Sequence, residues 1–319
     1  MATPSHPRYD VLLQGNQYCD LTFTFTQRDS LPLLGQETYA DDFAVNAGGI
    51  FNLASTLTRL GIGVGLVTQL GADLFSRFIA ERMQECGLSL ELTSWVEEPL
   101  PVVTAGISFP HDRLFISYAA PRHRDLDPPK ITPDDLDRYR PRALFTFGEV
   151  GIDLCREARS RGILVYVDAH WNLDHLRSSY LRELLQHVDV FSPNLPEALE
   201  ITGAGSAEEA LDGLSRLCRC VAIKCGSEGC LAWRDGERIA VPAIAVQAVE
   251  TTGAGDNFNA GLIYGLLHGY PFERCLRYAN VAGGLSTQVL GGCGSGVRAA
   301  DLEAWSAGTI PPSHLVDGA

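Results

Sequence analysis

Short apolar runs alternate with amphipathic stretches along most of the chain. The runs are four or five residues long, as expected for strands that are buried on both faces. Between two of them, residues 50–60 place Ile50, Leu53, Ala54 and Leu57 on one face of a helix. This alternation predicts an α/β fold with a largely parallel sheet covered by helices. The predicted buried strands are residues 10–14, 64–68, 143–147, 164–168, 188–191 and 222–225.

Two segments depart from this pattern and predict a second, smaller sheet. Residues 21–26 (LTFTFT) alternate bulky apolar side chains with threonines, which is typical of a half-exposed strand. Residues 104–108 and 114–118 flank a turn and predict a β-hairpin. We expect these lid segments, about residues 17–45 and 100–122, to form a small β-sheet lid outside the main layer.

The remaining organisation is simple. No linker, repeat or low-complexity tract divides the chain, so residues 1–310 are predicted to form one domain. Residues 311–319 are expected to be a loose tail.

The overall charge restricts the partners. With 39 acidic and 25 basic residues the formal charge is −14, and neither nucleic acid nor an anionic membrane is an expected partner. The chain has no apolar run of about 18 residues, so no membrane span is expected. Its beginning does not resemble a signal peptide, which favours a cytoplasmic location.

Nine cysteines are scattered along the chain without a CxxC pair. The densest run contains Cys218, Cys220, Cys225 and Cys230 around a predicted buried strand. Small core residues are the favoured interpretation, and metal or disulfide use is the alternative. Reduced thiols also favour the cytoplasm.

Only two of the basic residues are lysines, Lys130 and Lys224, and neither follows a glycine. A Walker A loop, which requires Gly-Lys followed by Ser or Thr, is therefore absent from the sequence. The sequence also contains no HExxH and no GxSxG motif.

The segment with the clearest chemistry is residues 249–268, VETTGAGDNFNAGLIYGLLH. Its apolar spacing predicts a buried helix that begins near Gly253. Small residues at 253–255 leave backbone N–H groups accessible where the helix dipole favours an anion. Asp256 follows in the first turn, where a carboxylate can accept a proton from an attacking hydroxyl. The alternative is that Asp256 only caps the helix and that the glycines only permit close packing.

The chain resembles the ribokinase/PfkB family of carbohydrate kinases. Residues 251–261 (TTGAGDNFNAG) are similar to the C-terminal motif of that family, and residues 48–54 to its N-terminal glycine motif. Three further segments match in order, namely 16–20, 194–197 (NLPE) and 224–229. The resemblance covers about residues 10 to 300 and implies a ribokinase-like three-layer sandwich with a small β-sheet lid.

The resemblance implies transfer of the γ-phosphoryl group of ATP to a primary hydroxyl of a sugar or sugar-like substrate. Asp256 would be the catalytic base. The backbone of Gly253, Ala254 and Gly255 would form the anion hole.

The same resemblance implies a substrate site. The residues that would bind substrate hydroxyls are Asp20, Gly48, Gly49, Asn52 and Glu149. For Glu149, an acid on the surface at the end of a strand is an equal alternative.

The nucleotide would be bound by Asn194, Lys224, Gly226, Gly229 and Asn280. A position on the surface of a helix is the alternative for Asn280. For Asn194, a helix cap is the alternative.

The resemblance also implies metal sites. Glu197 would organise Mg²⁺ through water, although with Asn194 it also fits a helix cap followed by a glutamate. Glu250 and Thr251 match a region that contributes to a monovalent-cation site. The family usually has aspartate at position 250, so the glutamate puts potassium dependence in doubt.

Three features have simpler interpretations. Residues 61–65 (GIGVG) precede a strand instead of following one, unlike a dinucleotide-binding loop. Arg122, His123 and Arg124 are interpreted as a solvated loop rather than an anion site. His170 is expected to line the pocket or the surface, with Asp168 ending a strand.

The acceptor stays open at this point. The apolar Ile50 and Phe51, with no lysine nearby, favour an unphosphorylated substrate. A nucleoside kinase is one alternative, with lid side chains such as Phe23, Phe109 and Tyr118 stacking on the base. A sugar sensor without catalysis is another. A homodimer formed through the edge strands of the lid is a further expectation.

Overall fold

The computed structural model of the protein describes residues 9–28, 30, 34–110, 113–121, 129–148, 150–289 and 296–308. Three sequence features therefore lie outside the described residues: Glu149, the segment 122–124, and the tail at 311–319.

The strands and helices of the described part are as follows. The strands are β1 Val11–Gln14, β2 Gln17–Thr24, β3 Asp42–Gly49, β4 Val64–Leu70, β5 Thr93–Trp95, β6 Val102–Ser108, β7 Arg113–Ala119, β8 Ala143–Phe147, β9 Leu164–Asp168, β10 Val190–Phe191, β11 Cys220–Lys224, β12 Cys230–Arg234 and β13 Glu237–Val241. The helices are α1 Ile50–Arg59, α2 Leu74–Glu85, α3 Pro133–Tyr139, α4 Ile152–Ser160, α5 Leu173–Leu176, α6 Ser179–Leu184, α7 Leu195–Thr202, α8 Ala207–Ser215, α9 Ala254–Leu267, α10 Phe272–Ser286 and α11 Ala299–Ser306.

The main sheet has nine strands in the order β13-β12-β11-β10-β9-β8-β1-β4-β5. Every neighbouring pair from β11 to β5 is parallel, and β12 and β13 add an antiparallel hairpin at one edge. One apolar core packs α1, α2, α9, α10 and α11 against one face, and a second core packs α3–α8 against the other. The predicted three-layer α/β fold with a largely parallel sheet is therefore confirmed.

The predicted strand positions agree closely with this sheet. Residues 143–147 and 164–168 form β8 and β9 without any shift of their ends. The strand predicted at 188–191 is only Val190–Phe191, because a turn of 3-10 helix precedes it and the carboxylate of Asp189 accepts from Val165 N–H.

The sequence interpretation missed the hairpin of β12 and β13. Asp235 and Gly236 join the two strands, both with positive φ (51° and 97°). This is the geometry of a two-residue type I′ turn, for which Asp-Gly is a preferred sequence. The Asp-Gly sequence that indicates this turn was therefore already visible in the chain.

The smaller sheet has the order β3-β2-β6-β7 and is the predicted lid. Its strand β3 was also missed, because the sequence DFAVNAGG is poor in residues that favour strands. Pairing with β2 over eight residues forms it instead.

The two faces of the lid differ in an unexpected way. Phe23 is paired with Phe43 and Ile107, and these side chains share the outer face, where Phe43 is 52% exposed. Thr22 points to the opposite face and is only 6% exposed. At this end of β2 the polar side chain is therefore the covered one, whereas Cys19, on the same face as Phe23, packs into the core near the start of the strand.

Candidate active site

Two cavities adjoin the first turn of α9. The first, called the lid-side cavity, has a volume of about 430 Å³ and is lined by Tyr18, Gly49 and Asp256, among others. The second, called the α10-side cavity, has a volume of about 460 Å³ and is lined by Ala254 and Gly255 together with residues of α10. Consecutive residues of one helical turn thus contribute to two different cavities.

Gly253 is the N-cap of α9 and has a φ of 74°. No side chain caps this helix end. The N–H groups of a first helical turn have no carbonyl partner within the helix, so they can bind an anion. Ala254 N–H makes a long bond of 3.3 Å to Thr251 O, so this member of the predicted anion hole is partly engaged.

Helix α1 fixes the orientation of this first turn. Asn52 Nδ2 donates to Asp256 Oδ2 at 3.1 Å, and Thr56 Oγ1 donates to Asn257 Oδ1 at 2.6 Å. The Asn257 amide in turn donates to Gly253 O at 2.8 Å. The predicted substrate residue Asn52 and the predicted base Asp256 are therefore in direct contact.

Asp256 is surrounded by protein except where it meets the lid-side cavity. Burial is the main reason that its pKa is raised to about 6, and the charge of Asp168 adds to the increase. The hydrogen bond from Asn52 and the charge of Lys224 act in the opposite direction. A carboxylate with a pKa near neutrality is a stronger base than an ordinary aspartate.

Asp20 and Gly48 lie beside each other on neighbouring strands of the lid. A Cβ atom at position 48 would be 1.9 Å from Asp20 Oδ2, so a side chain there would displace this carboxylate. Burial raises the pKa of Asp20 to about 7, with further contributions from the charges of Glu250 and Asp256. The sequence prediction that these residues share one site agrees with this arrangement.

A buried ion pair lies on the other side of the first turn. Lys224 Nζ donates to Asp168 Oδ2 at 2.7 Å, with side-chain exposures of 12% and 4%. Asn259 of α9 donates to the same oxygen at 2.6 Å and accepts from Tyr166 OH at 2.9 Å. The pair therefore connects the ends of β9 and β11 to α9.

Lys224 also lines the α10-side cavity and lies close to the helix start. A Cβ atom at Gly255 would be 3.5 Å from Lys224 Nζ. The structure thus places the cation next to the predicted anion hole. Asp168, which we had interpreted only as a strand end, holds it there.

Asn194 and Glu197 form a capping box at the start of α7. Asn194 Oδ1 accepts from Glu197 N–H and Glu197 Oε2 accepts from Asn194 N–H, both at 2.9 Å. Asn194 and Glu197 therefore cap a helix, as in the alternative interpretation of this pair. Burial raises the pKa of Glu197, with a further contribution from the charge of Asp168.

The other predicted nucleotide residues, Gly226, Gly229 and Asn280, line the α10-side cavity, as does Thr251. Asn280 is buried, and its amide donates to Val241 O and Pro242 O at 2.9 and 3.0 Å. It therefore holds the backbone of the cavity wall and is not on the surface. Glu250 is buried beside this cavity, and its N–H donates to Thr287 O.

Two of the three lid aromatics expected to stack on a base do not face the lid-side cavity. Phe23 and Tyr118 belong to the outer face of the lid, opposite to Asp20, and are 36% and 56% exposed. Phe109 stacks on Phe25. The expectation that Phe23 and Tyr118 contact an acceptor is wrong in this structure.

Sequence reasoning missed one wall of the lid-side cavity. It consists of residues at the carboxyl ends of adjacent parallel strands, namely Gln14, Thr68, Thr146, Phe147 and His170. Ligands of parallel sheets commonly bind at this edge, so strand order would have indicated the wall. Of these residues, only His170 had been considered for the pocket.

Among the described residues, no helix is long and apolar enough to cross a membrane. No group of three or more His, Cys, Asp or Glu side chains within them is arranged to hold a metal ion.

Comparison with known proteins gives a consistent result. Residues 22–298 match the family model described as pfkB family carbohydrate kinase. A ribokinase of Arabidopsis thaliana is 27% identical over 286 residues, which cover 84% of this chain and 74% of the relative. A nucleoside kinase of Methanothermobacter thermautotrophicus is 27% identical over 242 residues, which cover 74% and 76%.

A solved structure is also similar over nearly the whole chain. The structure of Arabidopsis thaliana ribokinase complexed with ribose and ATP has a TM-score of 0.78 and 25% sequence identity. The match covers 94% of this chain and 99% of that chain.

The buried ion pair generates a prediction about stability. Lys224→Met leaves the Asp168 carboxylate buried without its cation, and we expect a loss of about 3–5 kcal/mol in the free energy of unfolding. Urea unfolding followed by circular dichroism measures this loss. Asp168→Asn combined with Lys224→Met should recover much of it, because no uncompensated charge remains.

The matched control is Arg277→Met, which removes the cation of an exposed pair with Glu273. Exposed pairs contribute about 0–1 kcal/mol, so this variant should unfold almost as the parent does. Equal effects of the Lys224 and Arg277 variants would contradict the assigned role.

Proposed function

The chain belongs to the pfkB family of carbohydrate kinases, and we propose that it phosphorylates a primary hydroxyl of an unphosphorylated, sugar-like acceptor. Membership of the family makes it an ATP-dependent kinase of a sugar, with a nucleoside as the alternative acceptor. The observation that carries the proposal is the first turn of α9, where Asp256 adjoins one cavity and Gly255 the other. A phosphoryl group could therefore pass across this turn from one site to the other.

The α10-side cavity has the chemistry of a nucleotide site. Apolar residues 243–246 and Phe258 supply surfaces for a flat ring, while Lys224 and the N–H groups of α9 suit phosphates. We assign ATP to this cavity, with Asn194, Gly226, Gly229 and Asn280 around it.

Mg²⁺ would be held mainly by phosphates and water, as is usual for this ion. Two buried carboxylates lie near the phosphate end of this cavity. Asp168 forms an ion pair with Lys224, and the charges of Asp168 and Lys224 both act on the pKa of Glu197. Glu197 uses one oxygen in the capping box, so its other oxygen is the one we assign to a water of the ion. When bound, the ion would neutralise charge on the transferring group.

In the lid-side cavity, Asp256 receives the proton of the attacking hydroxyl. Asn52 keeps the carboxylate directed towards the cavity, and the N–H groups of Gly253, Ala254 and Gly255 stabilise negative charge on the phosphoryl oxygens. Asp20, Gly48 and Gly49 hold the other hydroxyls of the acceptor, and the lid excludes water. Glu149 is assigned to the same acceptor site on the strength of the family resemblance.

The charge of the lid-side cavity supports an unphosphorylated acceptor. None of the described residues that line it is a lysine or an arginine. Asp256 lines it and Asp20 adjoins it, and two carboxylates repel an additional phosphate.

Glu250 and Thr251 are assigned to a monovalent-cation site beside the nucleotide. The position of the pair supports this assignment, because Glu250 is buried directly before Thr251, which lines the α10-side cavity. Equal reaction rates in potassium and in choline chloride would rule it out.

We assign the protein to the cytoplasm. All eight cysteines within the described residues are free, and burial raises the pKa of most of them. Unpaired thiols are expected in a reducing compartment.

Asp256→Asn tests the assignment of the base. We expect kcat to fall by about 10²–10⁴-fold, because the amide cannot accept the proton. The KM for ATP should change by less than about twofold, since the nucleotide lies in the other cavity. The control is Asp153→Asn at an exposed position of α4. A near-normal kcat for the Asp256 variant would refute the assignment.

The pH profile checks the same residue. Asp256 and Asp20 have pKa values raised to about 6 and about 7, so both carry a proton below that range. The value of kcat/KM should therefore fall as the pH decreases from about 7 to about 6. The apparent pKa values of this fall belong to the coupled pair of carboxyl groups and not to either one alone. An acid limb near pH 4, the ordinary range of a carboxyl group, would contradict this reasoning.

Gly48→Ala tests the acceptor site. The new Cβ would displace the carboxylate of Asp20, so we expect the KM of the acceptor to rise about tenfold or more while the KM for ATP stays constant. Steady-state kinetics with each substrate varied in turn measures both. Gly205→Ala is the control, because its nearest neighbouring atom would be 3.5 Å from the new Cβ. Unchanged acceptor kinetics would show that Asp20 does not bind the acceptor.

We also propose that the lid mediates a homodimer. Its outer face exposes Phe43, Ile116 and Tyr118 (52%, 61% and 56%), and β3 and β7 are open edges. Apolar patches of this kind mark interfaces, and open edges favour strand pairing.

Light scattering after gel filtration tests the dimer. Ile116→Glu should shift a dimeric protein to the monomer, because it places a charge within the apolar face. Leu74→Glu on α2, where Leu74 is 66% exposed, should leave the mass unchanged. A parent protein that is monomeric at all concentrations would end the proposal.

A further inference from the structure

Two fully buried polar side chains lie next to the predicted anion hole. Asn257 directly follows Asp256 in the first turn of α9, and Thr56 lies on α1 one helical turn after Asn52. Both residues are 0% exposed, and neither belongs to the described lining of the two cavities. Any role that they have in the reaction must therefore pass through another group.

The amide of Asn257 makes two hydrogen bonds of opposite sense. Its Nδ2 donates to Gly253 O at 2.8 Å, and its Oδ1 accepts from Thr56 Oγ1 at 2.6 Å. The backbone N–H of Asn257 also donates to Gly253 O, at 2.9 Å. This carbonyl therefore accepts a side-chain hydrogen bond in addition to the backbone bond that an ordinary helix supplies.

The carbonyl of Gly253 belongs to the peptide unit that also contains the N–H group of Ala254. A peptide unit is planar, so hydrogen bonds that fix the direction of its C=O also fix the direction of its N–H. Ala254 N–H is a member of the proposed anion hole, and its bond to Thr251 O is long, at 3.3 Å. The amide of Asn257 therefore sets the direction of a donor that it does not itself contact.

This peptide unit needs a support because of the residue that precedes it. Gly253 has a φ of 74°, and glycine has more backbone freedom than any other residue. A side-chain cap would restrict the backbone here, but it would also occupy N–H groups that the phosphoryl oxygens require, and this helix end has no such cap. The amide of Asn257 restricts the same backbone from the buried side instead.

Thr56 determines which way this amide lies. Its hydroxyl donates to the Oδ1 atom of Asn257, so the Nδ2 group is directed to Gly253 O. Thr56 and Asn52 lie one turn apart on the same face of α1, and Asn52 donates to Asp256. The two side chains of α1 thus hold consecutive residues of α9, one for the base and one for the anion hole.

We infer that Thr56 and Asn257 are a pair of positioning residues that direct the N–H group of Ala254 towards the transferring phosphoryl group. This inference rests on the proposed function and adds two residues to its mechanism. Stabilisation of the transition state depends on donors that are aligned before the reaction begins. The pair therefore acts on kcat and leaves the binding of either substrate unchanged, because neither residue lines a cavity.

Steady-state kinetics of four variants test the pair, with ATP and the best acceptor of a sugar panel. Thr56→Val removes the hydroxyl at nearly constant shape, and Asn257→Ala removes the amide. We expect each to lower kcat about tenfold or more while the KM of each substrate stays within about twofold of the parent value. Thr56→Ser keeps the hydroxyl and should retain most of kcat. The double variant should lose no more than Asn257→Ala alone, because the hydroxyl acts through the amide.

Two further measurements separate positioning from general damage to the fold. The affinity for Mg·ADP with aluminium fluoride, which mimics the transferring group, should fall by a factor similar to that of kcat, while the affinity for Mg·ADP alone stays constant. The acid limb of the pH profile should not move, because Asn52 still donates to Asp256. Thr58→Val is the matched control, since its hydroxyl donates to Ala54 O within α1, and it should leave kcat unchanged.

The outcomes separate the inference from the function on which it rests. A normal kcat in either single variant, an equal loss of affinity for Mg·ADP with and without aluminium fluoride, or a shifted acid limb would overturn the inference and leave the kinase intact. Absence of phosphorylation of every acceptor by the parent would overturn the proposed function itself. Melting temperatures verify that the variants fold, and Thr56→Val and Asn257→Ala each decide the question without the other.

Discussion

The whole site depends on one steric and electrostatic constraint. The first turn of α9 must carry no bulky side chain where it separates the two cavities, and the packed elements around it must hold it in place. Helix α1 holds it through the side chains of Asn52 and Thr56. Strand β9 holds the same helix through Asp168, which accepts a hydrogen bond from Asn259 of α9. These polar groups are buried in an otherwise apolar interior, where an unpaired group would cost about 1–3 kcal/mol. Their mutual pairing explains why α1 carries asparagine and threonine on a face that packs against another helix.

In the lid, the usual distribution of polar and apolar side chains between the two faces of a sheet is partly reversed. In a sheet that covers an apolar core, threonines face water and phenylalanines face inward. Here Thr22 and Asp20 face the cleft and Phe23 and Phe43 face outward. Cys19 and Leu21, on the same face as Phe23, pack against the core, so each face of the lid is covered over part of its length. The alternation of LTFTFT therefore predicts a strand correctly but not which of its positions are buried.

Much of the fold and part of the site could be predicted from the sequence. The parallel strands were visible because a buried strand is a short apolar run, and Asp256 was visible because a helix start with small residues is a local pattern. Asp168 and Thr68 carried no local signal. Their contacts, with Lys224 and with the cavity, arise from strand order, which joins residues far apart in the chain. The hairpin at Asp235 and Gly236 is different, since its turn signal was local and was overlooked.

In the proposed mechanism, one distribution of charge serves both catalysis and selection. Burial and the nearby carboxylate of Asp168 raise the pKa of Asp256 towards the pH at which a general base is most effective. The same shortage of positive charge in the lid-side cavity makes it unfavourable for an acceptor that already carries a phosphate. Lys224 opposes the increase in the pKa of Asp256 without cancelling it, since its ammonium is paired with Asp168 and lines the α10-side cavity. A cation moved from that cavity to the other would weaken the base and admit anionic acceptors at once, so the separation of charge between the two cavities is itself part of the mechanism.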